Sequence, residues 1–319
     1  MIRSVVVALD GSRFAERALP LAAAIAGRTG ALIRLVRVHL PLPFSALPAG
    51  RFDTVERARR TGEAEYLKRV AGHPALSGHA VETAVLDGPV AFTLRAAGMA
   101  HADTLLLLTS HRRRPLRRAL SGNVADALVG TPGVPILLAG IDREDRTGAF
   151  GRVLVLLDGS EAAERVLYPA VSVAGTVDVE YVLVHVERQP GSPPLRPPPA
   201  ERATWSLERS TRLLELAGAR VTTRTPTATD VVGGVADVWR PGDLLAMETE
   251  ARKGLGRLLL GSTADRVVRT LAGAPVLLFS SQTMSKRRPW RSTARARGEP
   301  ATGRRKGRRR YATPGKRGR

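Results

Sequence analysis

The sequence predicts an α/β protein made of two tandem, doubly wound parallel sheets of five strands each. Three observations lead to this prediction. The chain has 319 residues, enough for two domains of about 150 residues. A segment near the start returns 148 positions later. Short apolar runs alternate with longer amphipathic stretches, and continuous Val and Leu runs are typical of parallel strands that are covered on both faces.

The internal repeat is the strongest of these observations. VVVALDGS at 5–12 returns as VLVLLDGS at 153–160, and LVRV at 35–38 returns as LVHV at 183–186. Later matches follow at offsets of 139 and 140, so the second copy is about nine residues shorter in its middle. Several matches in one register indicate a duplicated domain.

The first copy is expected to alternate five strands with four helices. The predicted strands are 3–9, 32–38, 80–86, 104–108 and 134–138, and the predicted helices lie near 12–28, 52–71, 88–100 and 120–130. This alternation implies right-handed crossovers and a doubly wound sheet. Such a sheet binds ligands at the carboxyl ends of its strands, where the strand order reverses.

The repeat also predicts where the domains begin and end. The first domain is expected at 1–141, a polar linker at 142–150, the second domain at 151–283 and a tail at 284–319. Inside the second domain, Gln189–Ala200 contains six prolines and is interpreted as a flexible or polyproline loop.

The tail carries most of the excess positive charge. It has fifteen Lys and Arg residues and one acidic residue, so its net charge is +14, whereas the rest of the chain carries +7. It has too few aliphatic residues to fold, and we expect it to be disordered. Three interpretations stay open: a nucleic-acid-binding arm in which Trp290 or Tyr311 stacks on bases, a solvated tail, and translation past the natural end of the gene.

The composition excludes several classes of protein. There is no cysteine, so disulfides, thiol nucleophiles and Cys-ligated zinc are excluded. The six histidines form no metal-binding pattern, and we predict neither a metal site nor catalytic residues. No apolar run reaches the ~18 residues that a membrane-spanning helix needs. We therefore expect a cytoplasmic, non-enzymatic protein without a membrane segment.

Two groups of residues are candidates for ligand binding. Asp10 and Asp158 each end a predicted strand and are followed by Gly-Ser, where a carboxylate can accept hydrogen bonds and the serine can cap the next helix. In the second copy, Gly261, Ser262 and Thr263 open a predicted helix and can present N–H and hydroxyl groups to an anion. An ordinary turn and helix start are the alternatives.

Basic residues precede the helix in both copies. Arg112, Arg113 and Arg114 in the first copy and Lys253 in the second are candidate anion-binding residues, because arginine offers bidentate hydrogen bonds to phosphate. A solvated basic loop is the alternative.

Taken together, these residues resemble the universal stress protein family, in particular its tandem two-domain members. The resemblance covers roughly 1–140 and 150–281 and leaves the tail outside. It implies a five-stranded sheet of order 3-2-1-4-5 in each domain, flanked by helices. Nucleotide-binding members hold ATP with an Asp that ends the first strand, a Val that ends the second, and a motif G-x2-G-x9-G followed by Ser or Thr.

Carried over to this chain, the resemblance implies ATP as the cofactor if any is bound. The implied nucleotide-binding residues are Asp10, Val38, Gly122 and Asn123 in the first copy and Asp158, Val186, Gly261, Ser262 and Thr263 in the second. Neither copy has the complete motif. Glu248 and Ala251 replace the first two glycines in the second copy, and Thr109 and Arg112 replace them in the first. Side chains there should obstruct phosphates.

We therefore expect a non-catalytic stress-response or regulatory module with weakened or lost ATP binding. The alternatives are an ATP-binding regulator that uses the second domain and a nucleic-acid-associated protein that uses the tail; weak residual ATPase activity is compatible with either. Because domains of this family pair through their last strand, Pro135–Leu138 and Pro275–Phe279 are expected to join the two domains. A homodimer and a separate protein partner are left open.

Overall fold

The computed structural model describes eight parts of the chain: residues 1–43, 51–109, 124–129, 133–140, 150–189, 200–249, 262–271 and 273–280. All of them lie within one compact unit, Met1–Arg287. The architecture is a single ten-stranded sheet with helices on both faces, and a separate two-stranded sheet accompanies its second half.

The first half of the large sheet has the predicted composition. Its strands are β1 (Ser4–Ala8), β2 (Leu32–His39), β3 (Val81–Asp87), β4 (Thr104–Thr109) and β5 (Ile136–Ala139). A 3-10 turn (Ala15–Ala18) leads into α1 (Leu19–Thr29), and α2 (Phe52–Ala71), α3 (Val90–Met99) and α4 (Val124–Val129) follow, with a second 3-10 turn at Pro74–Leu76. Each predicted strand is present to within two residues at either end.

The second half repeats this pattern. Its strands in the large sheet are β6 (Arg152–Leu156), β7 (Glu180–Val184), β9 (Arg220–Arg224), β11 (Asp243–Glu248) and β12 (Val276–Phe279). Its helices are α5 (Glu161–Glu164), α6 (Leu167–Ala174), α7 (Ala200–Leu216), α8 (Val231–Val238) and α9 (Ser262–Thr270). The strands β8 (Glu187–Arg188) and β10 (Thr227–Ala228) pair with each other and were not predicted.

The strand order is β3-β2-β1-β4-β5-β12-β11-β6-β7-β9. Read inward from either edge to the centre, each half has the order 3-2-1-4-5 of its own strands, as the resemblance implies. Every pairing in the large sheet is parallel except the central one, where β5 and β12 run antiparallel with Leu137 opposite Leu277. The predicted joining of the two domains through their last strands is confirmed.

Contacts beyond the ladder tighten the centre of the sheet. The Gly133 amide donates to the Ser280 carbonyl (2.9 Å), and a Cβ at Gly140 would lie 2.1 Å from the carbonyl oxygen of Gly273. On one face, the Arg28 guanidinium donates to the Phe150 carbonyl (2.8 Å). Phe150, at the end of the predicted polar linker, is buried in the core.

The core consists of two apolar layers, one on each face of the sheet, because side chains of a strand alternate between faces. One layer contains Ile33 and Leu35 of β2 and packs against α1 and α2, together with α6 and α7 of the second half. The other contains Val36 and packs against α3, α4, α8 and α9. We call these the α2 face and the α3 face.

Candidate functional site

The Asp-Gly-Ser turns close on themselves in both halves. The Asp10 carboxylate accepts from the amide and the hydroxyl of Ser12, and the Ser12 hydroxyl accepts from the Ala15 amide (3.2 Å). In the second half, Asp158 accepts from the Ser160 amide (2.9 Å), and Ser160 caps α5. The glycine between them has a φ of 90° at position 11, a conformation that suits glycine. The serines thus act as turn and cap residues.

Strand register places the candidate aspartates beside the candidate valines. Ala8 is paired with Val36, and Leu156 with Val184. Asp10 therefore lies next to Val38, and Asp158 lies two residues beyond Leu156, next to Val186. The sheet brings together these predicted residues at the carboxyl ends of its strands, as a doubly wound sheet does.

In the first half, the valine and the aspartate have different neighbours. Val38 and Val186 pack against the α3-face layer. Asp10 instead lines a cavity with Arg37, Glu63 and Tyr66 on the α2 face. In the first half, the aspartate and the valine therefore do not both line this cavity.

A buried charged cluster lies next to Asp10. Both ring nitrogens of His39, the last residue of β2, contact carboxylates of α2: Nδ1 is 2.8 Å from Glu63 Oε2, and Nε2 is 2.7 Å from Glu56 Oε2. His39 is only 2% exposed, and both glutamates are buried. Arg37 and Arg59 complete the cluster. We call these five residues the α2 network.

The two arginines pair with the same carboxylates. Arg37 Nε is 3.5 Å from Glu63 Oε1, and Arg59 Nη1 is 2.8 Å from Glu56 Oε1, which also accepts from the Leu42 amide. Burial opposes ionisation of Glu56, but the hydrogen bonds from Leu42, Arg59 and His39 outweigh it and lower the pKa of this carboxyl. The α2 network therefore holds an ionised Glu56 beside the Arg59 guanidinium.

Arg37 also covers the Asp-Gly-Ser turn. A Cβ on Gly11 would lie 2.0 Å from Arg37 Nη1, so the guanidinium packs directly against the turn backbone. Its other side stacks on the Tyr66 ring, 5.5 Å from the centroid. The turn is thus packed on the α2 face by a side chain of the neighbouring strand.

The second half has different residues at these positions. His185 occupies the place of Arg37, and its Nδ1 donates to the Leu157 carbonyl (2.9 Å). Glu164, which repeats Glu16, is buried and accepts from the Ser206 hydroxyl (2.9 Å). Val186 packs tightly onto α8, where a Cβ at Gly234 would meet it at 2.6 Å. The two halves therefore share the sequence of the turn but differ in the side chains that pack around it.

The first motif-glycine position is a strand residue in both halves. Thr109 is paired with Ala139 in the sheet, and Glu248 with Phe279. Alternation along β11 places Glu248 on the same face as Leu244 and Ala246, which is the α2 face. The Glu248 side chain, which was expected to obstruct a phosphate, therefore lies on the face opposite to Val186.

The start of α9 agrees with the prediction of a helix opening at this motif. The helix begins at Ser262, and Thr263 follows in its first turn, partly buried. Across from it, Asp230 caps α8 and forms an ion pair with Arg266 of α9. The Gly233 amide and Arg266 lower the pKa of the Asp230 carboxyl.

Several predicted residues lie outside the described parts of the chain. These are Gly122, Asn123, Gly261, Ala251, Arg112, Arg113, Arg114, Lys253 and the whole basic tail. Their assignment to phosphate, anion or nucleic-acid binding stays a prediction.

Sequence reasoning missed the α2 network. The sequence pattern assigns no role to His39, Glu56 or Glu63, although the two glutamates are seven residues apart and so share one face of α2. A histidine at the end of a strand and two glutamates on the buried face of the next helix were the available indication. Within the described ranges, no group of His, Asp and Glu side chains is arranged to hold a metal ion.

Helix length and polarity give one further result. Among the helices that the structure describes, none is both long and apolar enough to cross a membrane.

The fold and the turns together define a class of protein: a tandem pair of doubly wound α/β domains joined edge to edge, each with an Asp-Gly-Ser turn at its strand ends. The model of the universal stress protein family matches residues 1–139 and again 149–279. The chain therefore belongs to the universal stress protein family.

Solved structures agree on the fold. A universal stress protein from Archaeoglobus fulgidus is similar with a TM-score of 0.60 and 16% identity, over 87% of this chain and 96% of that one. A Pseudomonas aeruginosa protein described as a universal stress protein is similar with a TM-score of 0.54 and 18% identity, over 88% and 93%. No curated protein matches the chain.

Proposed function

We propose that this chain is a non-catalytic stress-response or regulatory module whose nucleotide binding is weakened or lost. The observation that supports this proposal is the packing around the turn of the first domain. Arg37 lies against Gly11, and Asp10 lines a cavity with Arg37 and Tyr66. The aspartate that the family resemblance assigns to nucleotide binding shares this space with charged side chains of the protein itself.

The motif positions support the same proposal. A glycine loop can present several backbone N–H groups to phosphates because it is free to turn. Thr109 and Glu248 instead lie in paired strands. Without a glycine at the first motif position, each domain has fewer ways to bring its backbone close to a phosphate.

One specific observation favours a second candidate, an ATP-binding regulator that uses the second domain. Asp158 is exposed and lies beside Val186, and α9 begins at Ser262 with Thr263 in its first turn. Since Glu248 lies on the α2 face, its carboxylate does not share a face with Val186. A nucleotide that approaches from the α3 face would meet less repulsion than the sequence suggests.

Calorimetric titration of the full-length chain with ATP distinguishes the two candidates. Inorganic tripolyphosphate is titrated in parallel, because it reports attraction to the basic residues without any nucleoside contact. The proposal expects no ATP-specific heat, with a dissociation constant weaker than about 1 mM. The variant Asp158→Ala and the matched variant Asp10→Ala are titrated with ATP in the same way.

The outcomes separate cleanly. Saturable micromolar binding of ATP but not tripolyphosphate contradicts the proposal. If Asp158→Ala then abolishes binding and Asp10→Ala leaves it intact, the second candidate is correct. The opposite pattern assigns the site to the first domain and overturns both candidates.

A further inference from the structure

The first domain contains a cavity of about 370 Å³ between the Asp-Gly-Ser turn and α2. Its walls include Asp10 and Gly11 of the turn, Arg37 of β2, and Arg59, Glu63 and Tyr66 of α2. It lies on the α2 face, away from Val38 on the α3 face. We propose that this cavity binds a small zwitterion of the α-amino-acid type. This inference goes beyond the proposed function, because it needs no nucleotide.

The charges of the lining carry the argument for a zwitterion. Two guanidinium groups and two carboxylates face the same small volume. A polyanion would meet both carboxylates, and a simple cation would meet both guanidinium groups. A ligand with one ammonium and one carboxylate group satisfies both signs at once. The volume lies in the range typical of small-molecule sites.

The arginines are held in place and still have donors to offer. Arg59 contacts Glu56 through Nη1, and Arg37 contacts Glu63 through Nε. A guanidinium has five N–H donors, so these contacts leave others for a ligand carboxylate. Because the pairing with Glu56 and Glu63 fixes their orientation, little side-chain entropy is lost on binding.

Tyr66 contributes an apolar wall to the cavity. The residue is buried and lines the cavity. Its ring also lies against the Arg37 guanidinium, 5.5 Å from the centroid, which helps to hold that arginine at the cavity wall. Burial raises the pKa of Tyr66, and the charge of Glu16 and a hydrogen bond with it raise the pKa further, so the hydroxyl stays protonated.

Gly62 indicates that the cavity is accessible from solvent. It lies in the middle of α2, is exposed, and lines the cavity. A Cβ at this position would meet nothing within 4 Å, so packing does not require glycine. Glycine in a helix interior is unfavourable relative to alanine. The missing side chain does leave the rim of the cavity open.

Gly62 also provides the decisive variant. Gly62→Gln places a long side chain at the rim, whereas Gly62→Ala adds one methyl group in open space. Both substitutions favour the helix, so both are expected to melt at or above the temperature of the unmodified chain. A loss of binding in Gly62→Gln therefore cannot be attributed to unfolding.

The experiment is calorimetric titration of the full-length chain with glycine, L-serine and L-glutamate. N-acetyl-L-serine and L-serinamide are the controls, since each removes one of the two charges. We expect saturable binding of at least one free amino acid, weakened at least tenfold in Gly62→Gln and unchanged in Gly62→Ala. When serine binds, both controls should bind at least tenfold more weakly.

Two results overturn the inference. One is the absence of saturable binding for all three amino acids up to about 10 mM, which corresponds to a negligible affinity. The other is binding that Gly62→Gln leaves unchanged, because the ligand then lies elsewhere. ATP-specific binding in the titration described above bears on the proposed function alone, so the two can fail separately.

Discussion

Replacing His39 by leucine tests the α2 network most directly. Its two ring nitrogens contact carboxylate oxygens at 2.8 and 2.7 Å. A neutral imidazole carries only one N–H, whereas an imidazolium donates from both nitrogens. Either form of the ring hydrogen-bonds to the carboxyl groups of α2. His39→Leu removes the contact that Glu56 and Glu63 share and leaves both carboxyl groups in place.

The expected loss is substantial because the ring is buried. His39 is 2% exposed, and the loss of a hydrogen bond to a charged group costs about 1.5–3 kcal/mol. Leucine is close to histidine in size, so the loss of packing is small by comparison. His101 is exposed, and His101→Leu, the matched control, should change the free energy of unfolding by less than about 0.5 kcal/mol.

Urea denaturation at pH 7, followed by far-UV circular dichroism, measures the difference. The double variant His39→Leu with Glu63→Gln should recover part of the loss, because it removes one of the two carboxyl groups that lose their contact with the ring. A loss below about 1 kcal/mol for His39→Leu would refute the reasoning. The carboxylates would then already be neutral, or solvent would reach them.

Three further predictions concern the centre of the sheet and two aspartates. Gly140→Ala should lower the free energy of unfolding by about 1–3 kcal/mol, because its Cβ would lie 2.1 Å from the Gly273 oxygen. Gly151→Ala is the control in the same urea denaturation, since nothing lies within 4 Å of its Cβ. Burial raises the pKa of Asp243 above 3.8, outweighing its hydrogen bond and nearby arginines. Because the protonated form is favoured on folding, Asp243→Asn should be at least as stable as the unmodified chain at pH 7, and any gain should vanish below pH 3.8. Hydrogen bonds from Gly233 of α8 and from Arg266 lower the pKa of Asp230 below 3.8. The Asp230→Asn variant should therefore be less stable than the unmodified chain by about 0.5 kcal/mol at neutral pH. This difference should disappear as the pH falls through the pKa of Asp230 in the folded protein.

The sequence predicted the strands of the large sheet well because the apolar pattern that indicates a buried strand is local in the sequence. Runs such as Leu105–Leu108 have no polar alternation and are buried on both faces, which is the pattern of a central parallel strand. The separate two-stranded sheet was harder to predict. It consists of two segments of only two residues each, Glu187–Arg188 and Thr227–Ala228. Only their tertiary pairing defines them as strands.

The sequence predicted where the two aspartates lie along the chain but not what surrounds them. Asp10 and Asp158 follow β1 and β6 by two residues, as the repeat indicates. The residues that line the cavity with Asp10 come mostly from α2, more than forty residues later in the chain, and no spacing rule connects them. Only the crossover that places α2 beside the turn brings Glu63 within reach of Arg37.

The fusion of two domains explains how such different surroundings can coexist in one family member. In a homodimer of single domains, one substitution changes both sites, because the symmetry repeats it. Here the β5–β12 pairing is kept, with Leu137 opposite Leu277, while Arg37 in one half corresponds to His185 in the other. Covalent linkage makes the pairing independent of protein concentration. Each half can therefore change its turn without changing the pairing of the last strands, and an amino-acid-type ligand in the first domain places no demand on the turn of the second.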